Sequence, residues 1–235
     1  FAIAITACSS VMGVIIPPSI LMVVWGGVMQ MSVGALFLAG AIPGLLIGFA
    51  LMATVYGYAK VYDYPIALKP TFAEFWSAFK GAALAMLTPV LVIGGIVGGI
   101  VTPTESAIIA AAYALVLGVF VYRTVTFRDL GGIFYDTGRF ASISLFAIGT
   151  ASAFGWMLAF YNVPRLIVEV MTAGELGVIG TSLIIAALFL FFGLFIDAIP
   201  TIIILGTVLL PVATAAGIHP VAFAIIGIIS LAFGL

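Results

Sequence analysis

The stretch Gly193–Pro211, GLFIDAIPTIIILGTVLLP, decides how this chain is read. Upstream of its acid, Leu176–Ile196 runs without a charge, and downstream Ala198–Leu235 carries none, with His219 the one titratable side chain. Asp197 stands between them, with Pro200 three residues on. An ionisable group in such surroundings costs several kcal/mol unless it has a partner, so its default reading is functional. The pattern predicts a hairpin over 176–217: two apolar half-helices meeting at a polar, proline-marked tip.

The composition says what kind of molecule holds that tip. Hydrophobic residues make up 65% of the chain and charged residues 6%, which excludes an ordinary soluble domain. Seven Lys/Arg against eight Asp/Glu leave no basic field for nucleic acid. The apolar runs are continuous instead of alternating, which points to an all-α polytopic protein in a lipid bilayer and away from a β-barrel. Cys8 is alone, so neither an internal disulfide nor a cysteine-rich metal site is available. Phe1 follows no basic n-region, so the first apolar run is not a signal peptide, and Leu235 falls inside an apolar segment. The sequence is expected to be a fragment truncated at both ends.

Phe1–Gln30 is long enough to span, but Ser9-Ser10, Gly13 and Pro17-Pro18-Ser19 interrupt it. Consecutive prolines cannot sit in a regular helix interior, so two half-helices with an unwound middle are expected. At membrane depth such backbone is tolerated where it is buried in protein or lines a polar cavity. Met31–Tyr58 is a second span, with Pro43 a kink. Lys60–Lys80 is the first polar stretch. Within it Thr71 and Glu74 have capping-box spacing, and Phe72, Phe75, Trp76 and Phe79 form a stripe expected to lie as a short helix in the membrane interface. Gly81–Val101 and Ser106–Tyr122 are spans on either side of Thr102–Glu105. Arg123–Arg139 is a second polar loop, Phe140–Phe160 a further span, and Tyr161–Gly174 a short amphipathic stretch with Arg165 and Glu169.

The two polar loops hold six of the seven basic residues and are separated by two crossings, so they share one side, the cytoplasmic one by the positive-inside rule. Phe1 then starts inside and the segment after Pro220 starts outside, whether 176–217 is a re-entrant hairpin or two full spans, which topology does not separate. Phe1–Pro18 and Ala222–Leu235 are weakly similar when Gly13 is set against Gly234, and they enter from opposite sides. Oppositely oriented copies of an interrupted helix mark inverted-repeat transporters, whose site lies near the midplane.

Each candidate residue has a structural reading beside the functional one. Thr102, Pro103 and Glu105 fit N-cap, N1 and N3 of a helix, a capping box with proline in its preferred place; a coupling-ion or gating role for Glu105 is the alternative. Asp197 can cap the half-helix near Pro200, which is compatible with ion binding. Ser9, Ser10, Thr201 and Ser230 offer neutral oxygens, or bond back to their own helices. His219, between Gly217 and Pro220, reads as a boundary residue. The glycines of Gly94–Gly99 read as helix packing. No P-loop, HExxH or paired catalytic carboxylates are present, so the chain is not read as an enzyme.

Five ordered stretches carry a family resemblance: Ser9–Ile20 (SSVMGVIIPPSI), Leu36–Leu46 (LFLAGAIPGLL), Gly98–Ala107 (GGIVTPTESA), FIDAIPTIIILGTVLLP and GIHPVAF. Together they resemble the large membrane subunit of TRAP transporters, the DctM family, across its C-terminal part. Ser106 stands where alanine is common, the first helices and first hairpin of the family are absent, and so is the Thr-Pro-Pro expected after Leu235. The resemblance implies an elevator-type, inverted-repeat transporter coupled to Na+ and working with a small membrane subunit and a periplasmic substrate-binding protein that delivers an organic acid of dicarboxylate or sialic-acid type. It places the sodium- and substrate-binding regions at Ser9, Ser10, Gly13, Pro17 and Pro18, at Asp197 and Thr201, and at Ser230 and Gly234. Thr102, Pro103, Thr104 and Glu105 are its structural or gating motif. No metal beyond sodium and no other cofactor is implied.

The expected organisation is the end of a first repeat over 1–60, a cytoplasmic loop with an interfacial helix over 61–80, and a second repeat over 81–235 that includes the hairpin 176–217. The expected location is a bacterial or archaeal inner membrane. A stand-alone sodium/dicarboxylate symporter and a non-transporting membrane scaffold are the competing readings.

Overall fold

In the computed structural model, residues 1–62, 70–172 and 177–234 are described, and every regular element among them is helical. The prolines act where expected. Helix α1 (Ala2–Ile15) stops at Ile16, whose backbone is extended, and α2 (Ile20–Val28) restarts behind Ser19 with its axis turned by 42°. The interruption is narrower than the sequence suggested. Ser9 and Ser10 donate to the carbonyls of Thr6 (3.0 Å) and Ala7 (2.7 Å), and Gly13 is helical, so the chain around Ser9–Gly13 is not unwound. A lone glycine and back-bonded serines weaken a helix; only the proline pair, lacking N–H groups, forces it open.

Helix α3 (Val33–Val61) runs through Pro43 without interruption. Its Gly40, Gly44 and Gly48, four residues apart, form the trough in which the broken helix lies. A Cβ on Gly44 would sit 2.6 Å from Ile16 Cγ1 and one on Gly48 2.7 Å from Met12 Cε, while one on Gly40 would overlap Met22 Cε. This is the small-residue contact that lets membrane helices approach closely.

Helix α4 (Phe72–Val97) opens with the predicted capping box of Thr71 and Glu74. The aromatic stripe forms the first two turns of this 26-residue helix instead of a separate interfacial helix, because Lys80-Gly81 supplies no breaker. Helix α5 (Pro103–Val116) continues into a wider π-turn at Leu117–Val121. Three side chains tie α5 antiparallel to α4: Ser106 Oγ donates to Val92 O (3.3 Å), Tyr113 Oη to Leu84 O (2.8 Å) and Tyr122 Oη to Gly81 O (3.0 Å). Ser106 is thus a buried link between helices. The last of these bonds sets the end of the π-turn beside Gly81, in the third turn of α4.

Helix α6 (Asp129–Phe160) starts three turns earlier than the span expected at Phe140. Asp129 is held there by the N–H (2.8 Å) and hydroxyl (2.6 Å) of Thr126. Helix α7 (Val163–Thr172) carries an Arg165–Glu169 ion pair of 3.0 Å; the end of the expected amphipathic stretch, and Leu176, lie outside the described residues. The rest is α8 (Gly177–Gly193), α9 (Ala198–Thr201), a π-turn (Ile202–Gly206), α10 (Thr207–Ala215) and α11 (Pro220–Gly234).

Five of these helical stretches are long and apolar enough to cross a membrane, six if the bent α1–α2 pair counts as one, so the chain is a multi-pass α-helical membrane protein. The core lies where α2, α8, the α9–α10 limb and α11 meet. Fully buried Trp25 contacts Phe189 (5.6 Å between centroids) and, edge-on, Phe223 (5.4 Å). Gly227 leaves the space that the Trp25 ring fills.

Candidate functional site: the hairpin tip and the broken helix

Around Asp197, α8 and the α9–α10 limb are joined by a short turn. Helix α8 and α11 run parallel, because Val178 lies near Gly217 at one end while Gly193 touches Leu231 and Gly234 at the other. The limb α9–α10 therefore returns the chain to the end from which α8 started. At 1.5 Å per residue, α8 is about 26 Å long and the 18-residue returning limb about 27 Å. Tight turns close the tip: Leu194 N–H donates to Phe191 O, and Phe195 and Ile196 N–H groups donate to Phe192 O (3.1 and 2.9 Å).

Asp197 follows as the N-cap residue of α9, but its carboxylate makes no capping bond. The main-chain carbonyl of Asp197 takes the local contacts instead, accepting from the Thr201 hydroxyl (2.9 Å) and N–H (3.3 Å). The side chain of Asp197 is exposed and has no hydrogen bond or ion pair among the described residues. Thr201, in contrast, is buried and its hydroxyl proton is committed to its own turn. An acid at a helix start that declines the cap leaves both oxygens available to another ligand.

On one flank of this tip is an apolar cavity of about 390 Å³, lined by Phe154, Phe192, Ile196, Thr201, Leu205 and others between α6, α7 and the returning limb. The limb itself widens into a π-turn at Ile202–Gly206, where Thr207 Oγ donates to Ile203 O (2.7 Å) and Ile204 O (3.1 Å). Such turns release carbonyls from the regular ladder, and Thr207 recaptures them.

The remaining predicted residues are brought near in part. Gly234 packs on the end of α8: a Cβ there would lie 2.8 Å from Leu190 O and 3.0 Å from Gly193 Cα. The C-terminal turn of α11, with half-buried Ser230, is therefore beside the strand of backbone leading into Asp197. Helix α1 packs on α11, and α2 on α9 and the π-turn. The elements bearing the candidate residues touch, yet no hydrogen bond joins Ser9, Ser10, Asp197, Thr201 or Ser230 across elements among the described residues. Pro17 and Pro18, joined by a cis peptide, lie in the non-helical break. No cluster of three or more His, Cys, Asp or Glu is present among the described residues.

Two residues matter that the sequence reading passed over. Ser19 is buried and spans the break: its hydroxyl donates to Val14 O and accepts from Met22 N–H (3.4 Å), closing α1 and capping α2. A serine directly before an apolar run is an N-cap signal that was available in the sequence. Trp25 is the other; its buried Nε1 has no acceptor among the described residues.

The Thr102–Glu105 motif resolves as a cap. Glu105 accepts from the Thr102 N–H (2.7 Å) and hydroxyl (2.9 Å), and Thr102 Oγ accepts from Glu105 N–H (3.3 Å), with Pro103 at N1. Ahead of it, Gly99 takes a left-handed φ of +68° beyond the end of α4, so the conformation favours glycine there. Thr104 is exposed. His219 is a boundary residue as expected, its Nδ1 accepting from Val221 N–H (3.2 Å) at the start of α11.

Along this chain the broken helix comes first, the Thr102–Glu105 cap second and the turn at Asp197 last. Residues 1–235 match the family model described as the tripartite ATP-independent periplasmic transporter, DctM component. The chain belongs to that family. The sialic acid TRAP transporter large permease protein SiaM of Vibrio cholerae is 38% identical over the whole chain and 55% of its own length. The isethionate TRAP transporter permease protein DctMQ of Oleidesulfovibrio alaskensis is also 38% identical, over 37% of its length. The C4-dicarboxylate TRAP transporter large permease protein DctM of Rhodobacter capsulatus is 32% identical, over 57%. The chain thus spans about half the length of most curated relatives it matches. As a member of a permease family it belongs with transport proteins and not with enzymes.

Proposed function

We propose that this chain is a section of the large transmembrane subunit of a tripartite secondary transporter that imports an organic acid with Na+ as coupling ion. Its partners are then a small membrane subunit and a periplasmic substrate-binding protein, and its place is a bacterial or archaeal inner membrane. The observation that carries the reading is the uncapped, exposed Asp197 at the hairpin tip, in a chain that matches the DctM model from end to end. Sodium is a hard cation that takes oxygen ligands. The non-helical break at Ile16–Ser19, the end of α11 at Ser230–Gly234 and Asp197 supply carbonyl, hydroxyl and carboxylate oxygens from elements that pack together.

The half-helix starts at α2 and α9 point unsatisfied N–H groups and positive dipole ends at their caps, which favours the carboxylate of a substrate. Ion binding that fixes the break and the tip would raise affinity for the acid by holding those N–H groups in place, a coupling of two sites through one local geometry. In this reading the hairpin is re-entrant and belongs to one of two inverted repeats, and transport moves the packed core against the remaining helices in an elevator-type step.

The test uses the intact transporter with its binding protein, reconstituted in vesicles, with acid uptake followed in sodium and in choline. Uptake that requires sodium and the binding protein is the expected result. Uptake indifferent to sodium removes the coupling assignment, and uptake without any binding protein turns the reading toward a stand-alone symporter.

A further inference from the structure

The α4–α5 pair ends in a corner that the transport reading does not use. Tyr122 Oη donates to Gly81 O (3.0 Å), and Arg123 and Lys80 are the chain neighbours of these two residues. The loop beyond is fastened to the π-turn of α5: Thr124 and Val125 N–H groups both donate to Gly118 O (2.9 and 3.2 Å), and Phe127 packs edge-on against Phe120. Lys80 Nζ rides over the Trp76 ring at 5.6 Å, and Trp76 stacks on Phe79. Arg123 has a left-handed φ of +54°. Lys80, Arg123 and Arg128 are exposed, as are the rings of Phe79, Phe120 and Phe127.

Among the described residues their charges are not neutralised. Among the described residues neither Lys80, Arg123 nor Arg128 has a carboxylate within 4 Å; the one ion pair of this kind is Arg165–Glu169, near the far end of α6. The described acids at this end are held by other partners or lie further along α6. Glu74 is bound to Thr71, Asp129 to Thr126, and Asp136 lies two turns into α6.

Depth identifies the occupant. The α5 stretch Pro103–Val121 is 19 residues, about 28 Å, close to the roughly 30 Å of bilayer hydrocarbon. Tyr122 then falls at the polar boundary, where tyrosine and tryptophan rings prefer to sit and where cations meet the headgroups.

We propose that the Lys80–Tyr122–Arg123 corner is a binding site for the headgroup of an anionic phospholipid, with Arg128 as a further contact. Phosphate oxygens would take the Lys80 ammonium and the Arg123 guanidinium, the latter by paired N–H bonds. Exposed Phe79, Phe120 and Phe127 would meet the glycerol and upper acyl chains. The charges are complementary, and the rings match the amphipathic boundary of a lipid better than the dry core of a protein interface.

The experiment uses the intact large subunit in nanodiscs of phosphatidylcholine containing one quarter phosphatidylglycerol, with co-purifying lipid counted by mass spectrometry. Wild type is expected to retain phosphatidylglycerol over phosphatidylcholine. The K80Q/R123Q variant should lose that preference about tenfold, as the removal of two interfacial cations implies. R165Q, which removes a cation near the far end of α6, should retain it. The proposal is overturned by an undiminished preference in K80Q/R123Q or an equal loss in R165Q. Displacement of the lipid by inorganic phosphate would make this a free-anion site, and displacement by the small subunit a protein contact; either overturns the lipid assignment.

Discussion

Two regions of this molecule use similarly apolar residues in opposite ways. Around Trp25, the helices α2, α8, α11 and the returning limb bury each other's side chains, and half of Ala198–Ala215 is inside the protein. The α4–α5 pair and α6 bury almost nothing: no residue of α4, Ser106 of α5 and Ala151 of α6. In water the second group would be unstable, but lipid tails are as apolar as leucine, so a membrane helix gains little from burial as such. Association there rests on close packing and hydrogen bonds. The core group accordingly uses glycine contacts and tilted or edge-on ring contacts, and the α4–α5 pair uses three hydroxyl-to-carbonyl bonds and caps. The first region is built to hold a shape around a tip; the second is built to stand in lipid.

This contrast can be broken by substitution in the intact subunit, with unfolding in detergent as the readout. Trp25→Ala is expected to cost the most, on the order of 3 kcal/mol, since the transfer contribution is small in lipid but the cavity between Phe189, Phe223 and Gly227 remains. Gly227→Val should follow at about 2 kcal/mol, because its side chain must displace the Trp25 ring. A milder loss than that of a surface change for either would show that the core is not close-packed. Thr102→Ala removes a cap from α5 and should cost about 1 kcal/mol. Ile108→Ala, exposed on the same helix, should stay within about 0.5 kcal/mol; a larger loss would place a protein partner on that face.

Much of this was readable from residue order. Pro17-Pro18 foretold the break because two missing N–H groups leave a helix no alternative, and Thr102–Glu105 foretold its own capping box because the motif is closed within four residues. The helix break at Asp197 was legible from one carboxylate and a proline in a long uncharged run. What escaped depends on partners distant in sequence. The π-turn at Ile202–Gly206 has no local signature, since it depends on how the limb packs against Trp25, Met29 and α6. The aromatic stripe of α4 has the right residues for an interfacial helix but continues into the span, because helix propagation needs only the absence of a breaker. At the candidate site, residue types showed which oxygens were present. They did not show that Ser9, Ser10 and Thr201 turn their hydroxyl protons to their own helices while Asp197 keeps its carboxylate unbonded.

Asp197 and Glu105 state the central contrast as a pair: two acids at helix starts, one leaving its cap unfilled and one filling it. The direct measurement is sodium-driven acid uptake by the intact transporter carrying Asp197→Asn or Glu105→Gln, with the melting temperature of each variant recorded alongside. The account predicts that Asp197→Asn lowers uptake at least about tenfold with the melting temperature unchanged, while Glu105→Gln lowers the melting temperature and leaves uptake within about twofold. Uptake that survives Asp197→Asn and collapses in a stably folded Glu105→Gln would contradict it.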